Sequence, residues 1–177
     1  MANVARHKRG KGRRRFLPKN KSKKQKKLKL VEQISPHFSI TDFKCREQEC
    51  TCKKKVKISM GLIGGLELLH EKCEQEITVL KGYECSEKAK KSLYKNYHVN
   101  GLAVEIQVEG MPLKAVYEQA CMIEEFQGVG LDFERNVLYL DTRKENAQHW
   151  VVDGDKRIVI TDENRESTLS DRADSSR

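Results

Sequence analysis

Apolar positions recur with two different periods along the chain, and each period predicts a different kind of element. Between residues 59 and 75 they are separated by four, three and four positions, which is the spacing of one helix face. Over residues 102–108 (LAVEIQV) apolar and polar positions alternate, which is typical of a strand with one buried face. The predicted inward residues of the helix are Leu62, Leu66, Leu69 and Cys73.

Three further helices are indicated by their start signals. A serine followed by a proline at 35–36 predicts a short first helix. Ser86 predicts the cap of a polar helix that runs to about residue 94, and Pro112 opens a helix that ends near residue 128. The side chains predicted to face inward are Phe38, Ile40 and Phe43 in the first of these helices and Leu113, Val116, Ala120 and Ile123 in the last.

Short apolar or β-branched runs between polar and glycine residues predict five more strands. Helices therefore come first, followed by strands with helices between them. This order predicts an α+β fold with a small, largely antiparallel sheet. The additional predicted strands cover residues 77–80, 129–133, 137–140, 149–152 and 157–160.

Charged residues are distributed unevenly. The chain has 35 Lys and Arg against 26 Asp and Glu, but its first 29 residues hold 14 of the basic residues and no acidic residue. Closely spaced like charges repel one another, and this segment has little apolar surface to bury. We therefore expect a disordered basic arm over residues 1–30, one domain over residues 31–161, and a disordered polar tail over residues 162–177.

The basic arm has two alternative kinds of partner. Its cations suit nucleic-acid phosphates, and because Phe16 is its single aromatic residue, such binding is expected to be independent of base sequence. They equally suit an anionic surface such as lipid head groups or cell-wall polymers. A solubilising role without one partner is the third interpretation. The candidate contact residues are Arg13, Arg14, Arg15, Lys23, Lys24, Lys26 and Lys27.

No apolar run approaches the roughly 20 residues of a membrane span, and the arm lacks the roughly 7 to 15 apolar residues of a secretory signal. A cytoplasmic location is therefore expected unless another export route exists, with reduced cysteines. Cys45, Cys50 and Cys52 are close in sequence, which leaves free thiols, a disulfide or a structural metal site as alternatives. Metal would need a fourth ligand, for which Cys85 and His37 are candidates. Cys73 and Cys121 are predicted to fill the core.

Four short motifs follow one another between residues 36 and 143. They read PHFSITDF at 36–43, KGYEC at 81–85, NYHVNGLAVEI at 96–106 and LYLDTR at 138–143. In this order and spacing the chain resembles the D-Ala-D-Ala carboxypeptidases, zinc peptidases that cut D-alanyl bonds in bacterial cell-wall peptides and share their fold with the hedgehog signalling domain. The resemblance implies that fold, a zinc cofactor and peptidoglycan stem peptides as substrates.

The resemblance also implies where zinc would bind. Zinc peptidases hold the metal with three side chains and leave a fourth position for a water molecule. His98 matches one ligand and Glu105 replaces the usual aspartate, whereas the third ligand, a histidine in the family, corresponds to Tyr139. A phenol has an ordinary pKa near 10 and is a poor zinc ligand at neutral pH. Asp141 and His149 are the nearest alternatives in sequence for the missing ligand.

Other positions of the implied site have changed as well. The general base of some relatives corresponds to Asn136, whose amide cannot accept a proton as a carboxylate does. The motif that helps hold the substrate carboxylate in the family reads KGYE at 81–84, with an acid in place of arginine. The implied pocket comprises Lys81, Tyr83, Glu84, Asn136, Asp141 and Arg143.

These changes predict a domain that keeps a peptidase scaffold without hydrolysis and serves as a binding or structural module for cell-wall peptide or a protein partner. No cofactor is then expected, and Lys81 is predicted to pair with Glu105 in place of a metal. The alternative is an active zinc carboxypeptidase or endopeptidase on stem peptides, with His98 and Glu105 as ligands. A nucleic-acid-associated protein that acts through its arm is the second alternative.

Overall fold

The described part of the chain contains one six-stranded sheet and three α-helices. The computed structural model describes residues 32–46, 52, 56–85 and 96–170. The helices are α1 (Met60–Cys73), α2 (Leu113–Ala120) and α3 (Arg165–Ser170), and a 3₁₀ turn covers Tyr97–Asn100. The strands are β1 (Ile77–Lys81), β2 (Ala103–Val108), β3 (Gly128–Asp132), β4 (Val137–Asp141), β5 (Gln148–Asp153) and β6 (Lys156–Val159).

The strands are arranged in the order β1-β2-β4-β3-β5-β6. Neighbouring strands are antiparallel except for β3 and β5, which are parallel. The predicted α+β class and largely antiparallel sheet are therefore confirmed. Every predicted strand boundary lies within one residue of the observed boundary, because alternation and flanking glycines mark short strands clearly.

The main core lies between the helices and one face of the sheet. The helix predicted over residues 59–75 is α1, and its four predicted inward residues are all buried. Alternate residues of the central strands contribute Val104 and Ile106 from β2 and Leu138 and Leu140 from β4 to the same core. The intervening residues lie on the opposite face of the sheet, which carries the polar residues of the implied site.

The predicted helix at residues 35–43 is wrong. This segment forms a closed loop in which Gln33 and Ser39 make an isolated antiparallel bridge. The backbone N–H groups of Ile34 and Ser35 both donate to the carbonyl of Phe38, at 3.1 and 3.2 Å, so the chain reverses there instead of winding into a helix. The inward prediction holds for Phe38 and Phe43, which are 2% and 0% exposed, whereas Ile40 is only half-buried.

The helix predicted from Pro112 is shorter than expected. It ends at Ala120, and Ile123 is buried from the turn that follows the helix. Sequence reasoning also missed Tyr117, which is fully buried on the inward face of α2. The helix predicted from Ser86 to about residue 94 lies outside the described residues.

The expectation of a disordered polar tail is wrong for residues 162–170. Helix α3 occupies Arg165–Ser170, and its Leu169 is 4% exposed and belongs to the core. The Asn164 side chain accepts a hydrogen bond from the Thr161 N–H at 2.8 Å and donates one to the Val159 carbonyl at 3.0 Å, which ties the start of this segment to β6. The fold therefore extends beyond residue 161.

The predicted basic arm over residues 1–30, with all seven of its candidate contact residues, lies outside the described residues, as do residues 171–177. Among the described helices, none has the length and apolarity that crossing a membrane requires.

Candidate functional site

A row of paired residues crosses the polar face of the sheet. Strand register pairs Lys81 with Glu105, Glu105 with Tyr139, Tyr139 with Gly130, and Gly130 with Trp150. Directly paired residues point to the same face, so the register places these side chains next to one another. Gly130 has no side chain, and the Trp150 indole lies over it, with its Cε2 atom 2.5 Å from where a Cβ would be. This glycine lets the Trp150 ring reach Tyr139, at 5.1 Å between centroids.

His98 is held over this row by the 3₁₀ turn. The Asn96 side chain caps the turn by accepting a hydrogen bond from the His98 N–H at 3.0 Å. The Nδ1 atom of His98 lies 2.8 Å from the Gly82 carbonyl, which can only accept a hydrogen bond, so Nδ1 carries a proton. In the neutral ring Nε2 is then unprotonated, and it lies 3.9 Å from Glu105 Oε1.

The His98 ring is 4% exposed. Its burial, together with the nearby Lys81 ammonium, lowers the pKa of His98 below its ordinary value. The neutral form therefore predominates at neutral pH. A neutral imidazole whose Nδ1–H donates to a backbone carbonyl is also how metal-binding histidines are held in proteins.

Glu105 is paired with a cation that sequence reasoning missed. Arg135 Nη1 lies 3.2 Å from Glu105 Oε2, and Arg135 Nε lies 2.6 Å from Asp132 Oδ2. Hydrogen bonds to Asp132, and the charges of both carboxylates, raise the pKa of Arg135. The predicted Lys81–Glu105 pair is therefore wrong, because Lys81 Nζ lies 3.3 Å from Glu84 and the cation beside Glu105 is Arg135.

Tyr139 occupies the third position of the implied metal site. Its ring meets the His98 ring edge to face, at 5.5 Å between centroids. Burial, followed by the charge of Asp141 and a hydrogen bond to it, raises the pKa of Tyr139 far above its usual range. The phenol therefore keeps its proton at any physiological pH. Together with the arginine beside Glu105, this does not fit a zinc ion held by these three positions.

Asp141 and His149, the two alternatives for the third zinc ligand, both have other partners. Both carboxylate oxygens of Asp141 accept hydrogen bonds from Arg143, at 2.8 and 2.6 Å. His149 lies against α2, where its Nδ1 is 3.0 Å from the Tyr117 hydroxyl and 3.7 Å from Cys121 Sγ. The candidate general base Asn136 sits in the β3–β4 turn with φ 51°, where it lines a separate cavity of about 460 Å³.

Glu84 is enclosed by polar partners near His98. Asn96 Nδ2 donates to Glu84 Oε2 at 2.5 Å, and Lys81 Nζ lies 3.3 Å from the same oxygen. Burial acts to raise the pKa of Glu84, but the hydrogen bond from Asn96 and the charge of Lys81 outweigh it, so the pKa is lowered. The negative charge of Glu84 is thus largely compensated locally.

A cavity of about 250 Å³ adjoins this group. Three basic residues and one acid line it, which leaves an excess of positive charge around a space large enough for a small anionic group. Its lining residues are Lys44, Cys45, Arg46, Leu80, Lys81, Gly82, Tyr83 and Glu84.

The lowered pKa of His98 predicts a pH-dependent stability. The unfolded chain binds a proton to this residue more readily than the folded chain, so the free energy of unfolding should fall as pH drops from about 6.5 toward the folded pKa. His98→Asn keeps a side-chain N–H for the Gly82 carbonyl without a titrating group, and it should lose less stability between pH 7.5 and 5.5. Urea unfolding followed by Trp150 fluorescence measures this. The pKa of His149 is also lowered, by burial and by Arg165, so the free energy of unfolding of His98→Asn should still decrease somewhat as pH falls. An identical slope in parent and variant would contradict the assignment to His98.

No protein-family model, no curated protein and no solved structure matches this chain.

Proposed function

We propose that this chain is a non-hydrolytic relative of the D-Ala-D-Ala carboxypeptidases that binds peptides through their C-terminal carboxylate. The observation that carries the proposal is the ion pair between Arg135 and Glu105. Glu105 would be a ligand of the metal in an active zinc site, and here it is paired with a protein cation instead. The four ordered motifs, the α+β fold and the juxtaposition of His98 with Glu105 support the relationship.

Hydrolysis by zinc requires three protein ligands and a base for the attacking water. His98 and Glu105 supply two ligands, whereas Tyr139 remains a protonated phenol. Asn136 has no basic group and lines a different cavity. The residues on this polar face of the sheet are suited to pair with one another and to bind a ligand. They are not suited to activate a water molecule for hydrolysis.

The cavity beside Glu84 is the proposed ligand site. Lys44, Arg46 and Lys81 line it, and the charge of Glu84 is already compensated by Lys81 and Asn96. A ligand carboxylate placed 4 Å from one of these cations gains about 4 kcal/mol of Coulomb energy at an effective dielectric of 20. A stem peptide that ends in D-Ala-D-Ala presents such a carboxylate, and its small side chains suit a space of this size.

The proposal is tested with two probes that differ only at their C-terminus. Isothermal titration of the full chain with diacetyl-Lys-D-Ala-D-Ala should show binding, and the C-terminal amide of the same peptide should bind at least about tenfold more weakly, because the removed charge is worth more than about 1.4 kcal/mol. Lys81→Met should weaken binding of the acid and leave that of the amide nearly unchanged. Mass spectrometry should detect no released D-alanine, even with added zinc.

Two results would contradict the proposal in different ways. Equal affinity for acid and amide would show that the cavity does not recognise a carboxylate. Release of D-alanine that a chelator and His98→Asn both abolish would establish an active zinc peptidase instead.

A further inference from the structure

We infer that Cys45, Cys52 and Cys85 form a structural zinc site, which is separate from the His98–Glu105 pair and whose evidence does not rest on the proposed function. The three Sγ atoms all lie within 4.8 Å of one another. Cys45 and Cys85 are buried, and Cys52 is half-buried. Thiolate sulfur is the preferred ligand of structural zinc in proteins, and such sites are closed to solvent.

The backbone of the fold brings Cys45 and Cys85 together across 40 residues of sequence. The N–H of Tyr83 donates to the carbonyl of Phe43 at 2.8 Å, and each cysteine follows two residues later. Gly82 allows this approach, because a Cβ there would lie 2.5 Å from the Phe43 Cα. The convergence of Cys45 and Cys85 is therefore a consequence of main-chain packing.

The sulfur spacing suits a tetrahedral ion. Zinc bound at about 2.3 Å from each sulfur sets the sulfur atoms about 3.8 Å apart, which three atoms mutually within 4.8 Å reach with small side-chain movements. A disulfide would join two of these cysteines and leave the third outside the bond. The inference requires three thiolates only. Cys50, the remaining cysteine of the group predicted from the sequence, lies outside the described residues.

The charges around the cluster favour the metal-bound form. Three thiolates and Zn²⁺ carry one net negative charge, and basic residues flank Cys45 on both sides, at Lys44 and Arg46. Nearby cations stabilise thiolates and so favour metal binding at neutral pH. A bound ion would connect the loop that carries Cys45 to the segment after β1. It would thereby fix two walls of the cavity that Lys44 and Lys81 line.

The test is the metal content of the full chain, expressed in zinc-supplemented medium and purified without chelators. We expect about one zinc per chain, released by an organomercurial thiol reagent. Cys85→Ser should reduce the zinc content at least about tenfold. The matched control is Cys73→Ser, which alters a buried thiol at the end of α1 and should leave the zinc content unchanged.

A measurement on the unchanged chain covers the case in which Cys85→Ser does not fold. Cobalt exchanged for zinc should give intense thiolate-to-metal charge-transfer absorption, and its absence would overturn the inference. So would a metal-free chain, or a disulfide between two of these cysteines detected by differential alkylation. If the zinc content were unchanged in Cys85→Ser but lost in His98→Asn, zinc would be bound at His98 and not at the cysteines. That result would overturn both this inference and the proposal that the chain has lost the catalytic zinc. Equal affinity for the acid and amide peptides would contradict the proposed function and would not affect the inference of a zinc site at the cysteines.

Discussion

Arg143→Met should lower the free energy of unfolding by about 3–5 kcal/mol, because it leaves a buried carboxylate without its counter-ion. Asp141 is 0% exposed, and both of its oxygens accept hydrogen bonds from the Arg143 guanidinium. The hydrogen bond to Asp141 raises the pKa of Arg143, so the guanidinium stays charged. Methionine keeps part of the aliphatic stem but removes the guanidinium, whose Cζ lies 4.8 Å from the Tyr97 ring centroid and 5.4 Å from the Trp150 ring centroid.

The double variant Asp141→Asn with Arg143→Met separates loss of charge pairing from loss of packing. Asparagine keeps an oxygen for the backbone N–H of residue 143, which Asp141 Oδ1 accepts at 3.1 Å. The double variant should recover at least about 2 kcal/mol of the stability lost in the single variant, since no unpaired charge remains buried. Urea unfolding followed by the fluorescence of Trp150, the single tryptophan, measures both. Equal losses in the two variants would mean that the arginine acts through packing alone.

Helix α1 and strand β2 could be predicted because their apolar periods match the faces that they bury, and the other strands because their short apolar or β-branched runs end at polar or glycine residues. At the two ends of the domain the sequence did not predict the observed structure, and the physical reason differs between the two ends. Ser35 and Pro36 do suit a helix start, but the N–H groups of Ser39 and Ile40, which a helix would direct to the carbonyls of residues 35 and 36, donate instead to the Asp42 carboxylate and the Glu32 carbonyl, both at 2.7 Å. Helix α3 has one apolar anchor, Leu169, and a single residue produces no period in a polar segment.

The candidate site was predictable as far as strand register determines it. Glu105 and Tyr139 are direct partners across β2 and β4, and His98 precedes β2, so these three meet as their motifs imply. The partner of Glu105 could not be predicted, because the reach of Arg135 depends on the β3–β4 turn, where Asn136 adopts a positive φ. The additional ligand of the cysteine group was likewise left open between Cys85 and His37, and only the tertiary contact between the Phe43 and Tyr83 backbones brings Cys85 to Cys45.

Gly82→Ala should destabilise the domain by about 3 kcal/mol, at the upper end for overpacking. An added Cβ would lie 2.5 Å from the Phe43 Cα and 2.8 Å from its carbonyl oxygen. Backbone atoms cannot rotate away as a side chain can, so the two segments must separate. The matched control is Gly64→Ala in α1, where an added Cβ meets no atom within 4 Å, and which should stabilise by about 0.5–1 kcal/mol through helix propensity.

Separation of these two segments has consequences that a simple loss of stability would not produce. Separation of the two segments should expose the His98 ring, whose burial is the main cause of its lowered pKa, so the pH dependence of unfolding should weaken in Gly82→Ala as it does in His98→Asn. Cys45 and Cys85 follow the same two backbones, so zinc content under native conditions should fall as well. Gly64→Ala should leave both properties unchanged. A Gly82→Ala chain that is destabilised but keeps its zinc and its pH dependence would show that the Phe43–Tyr83 contact does not position either group.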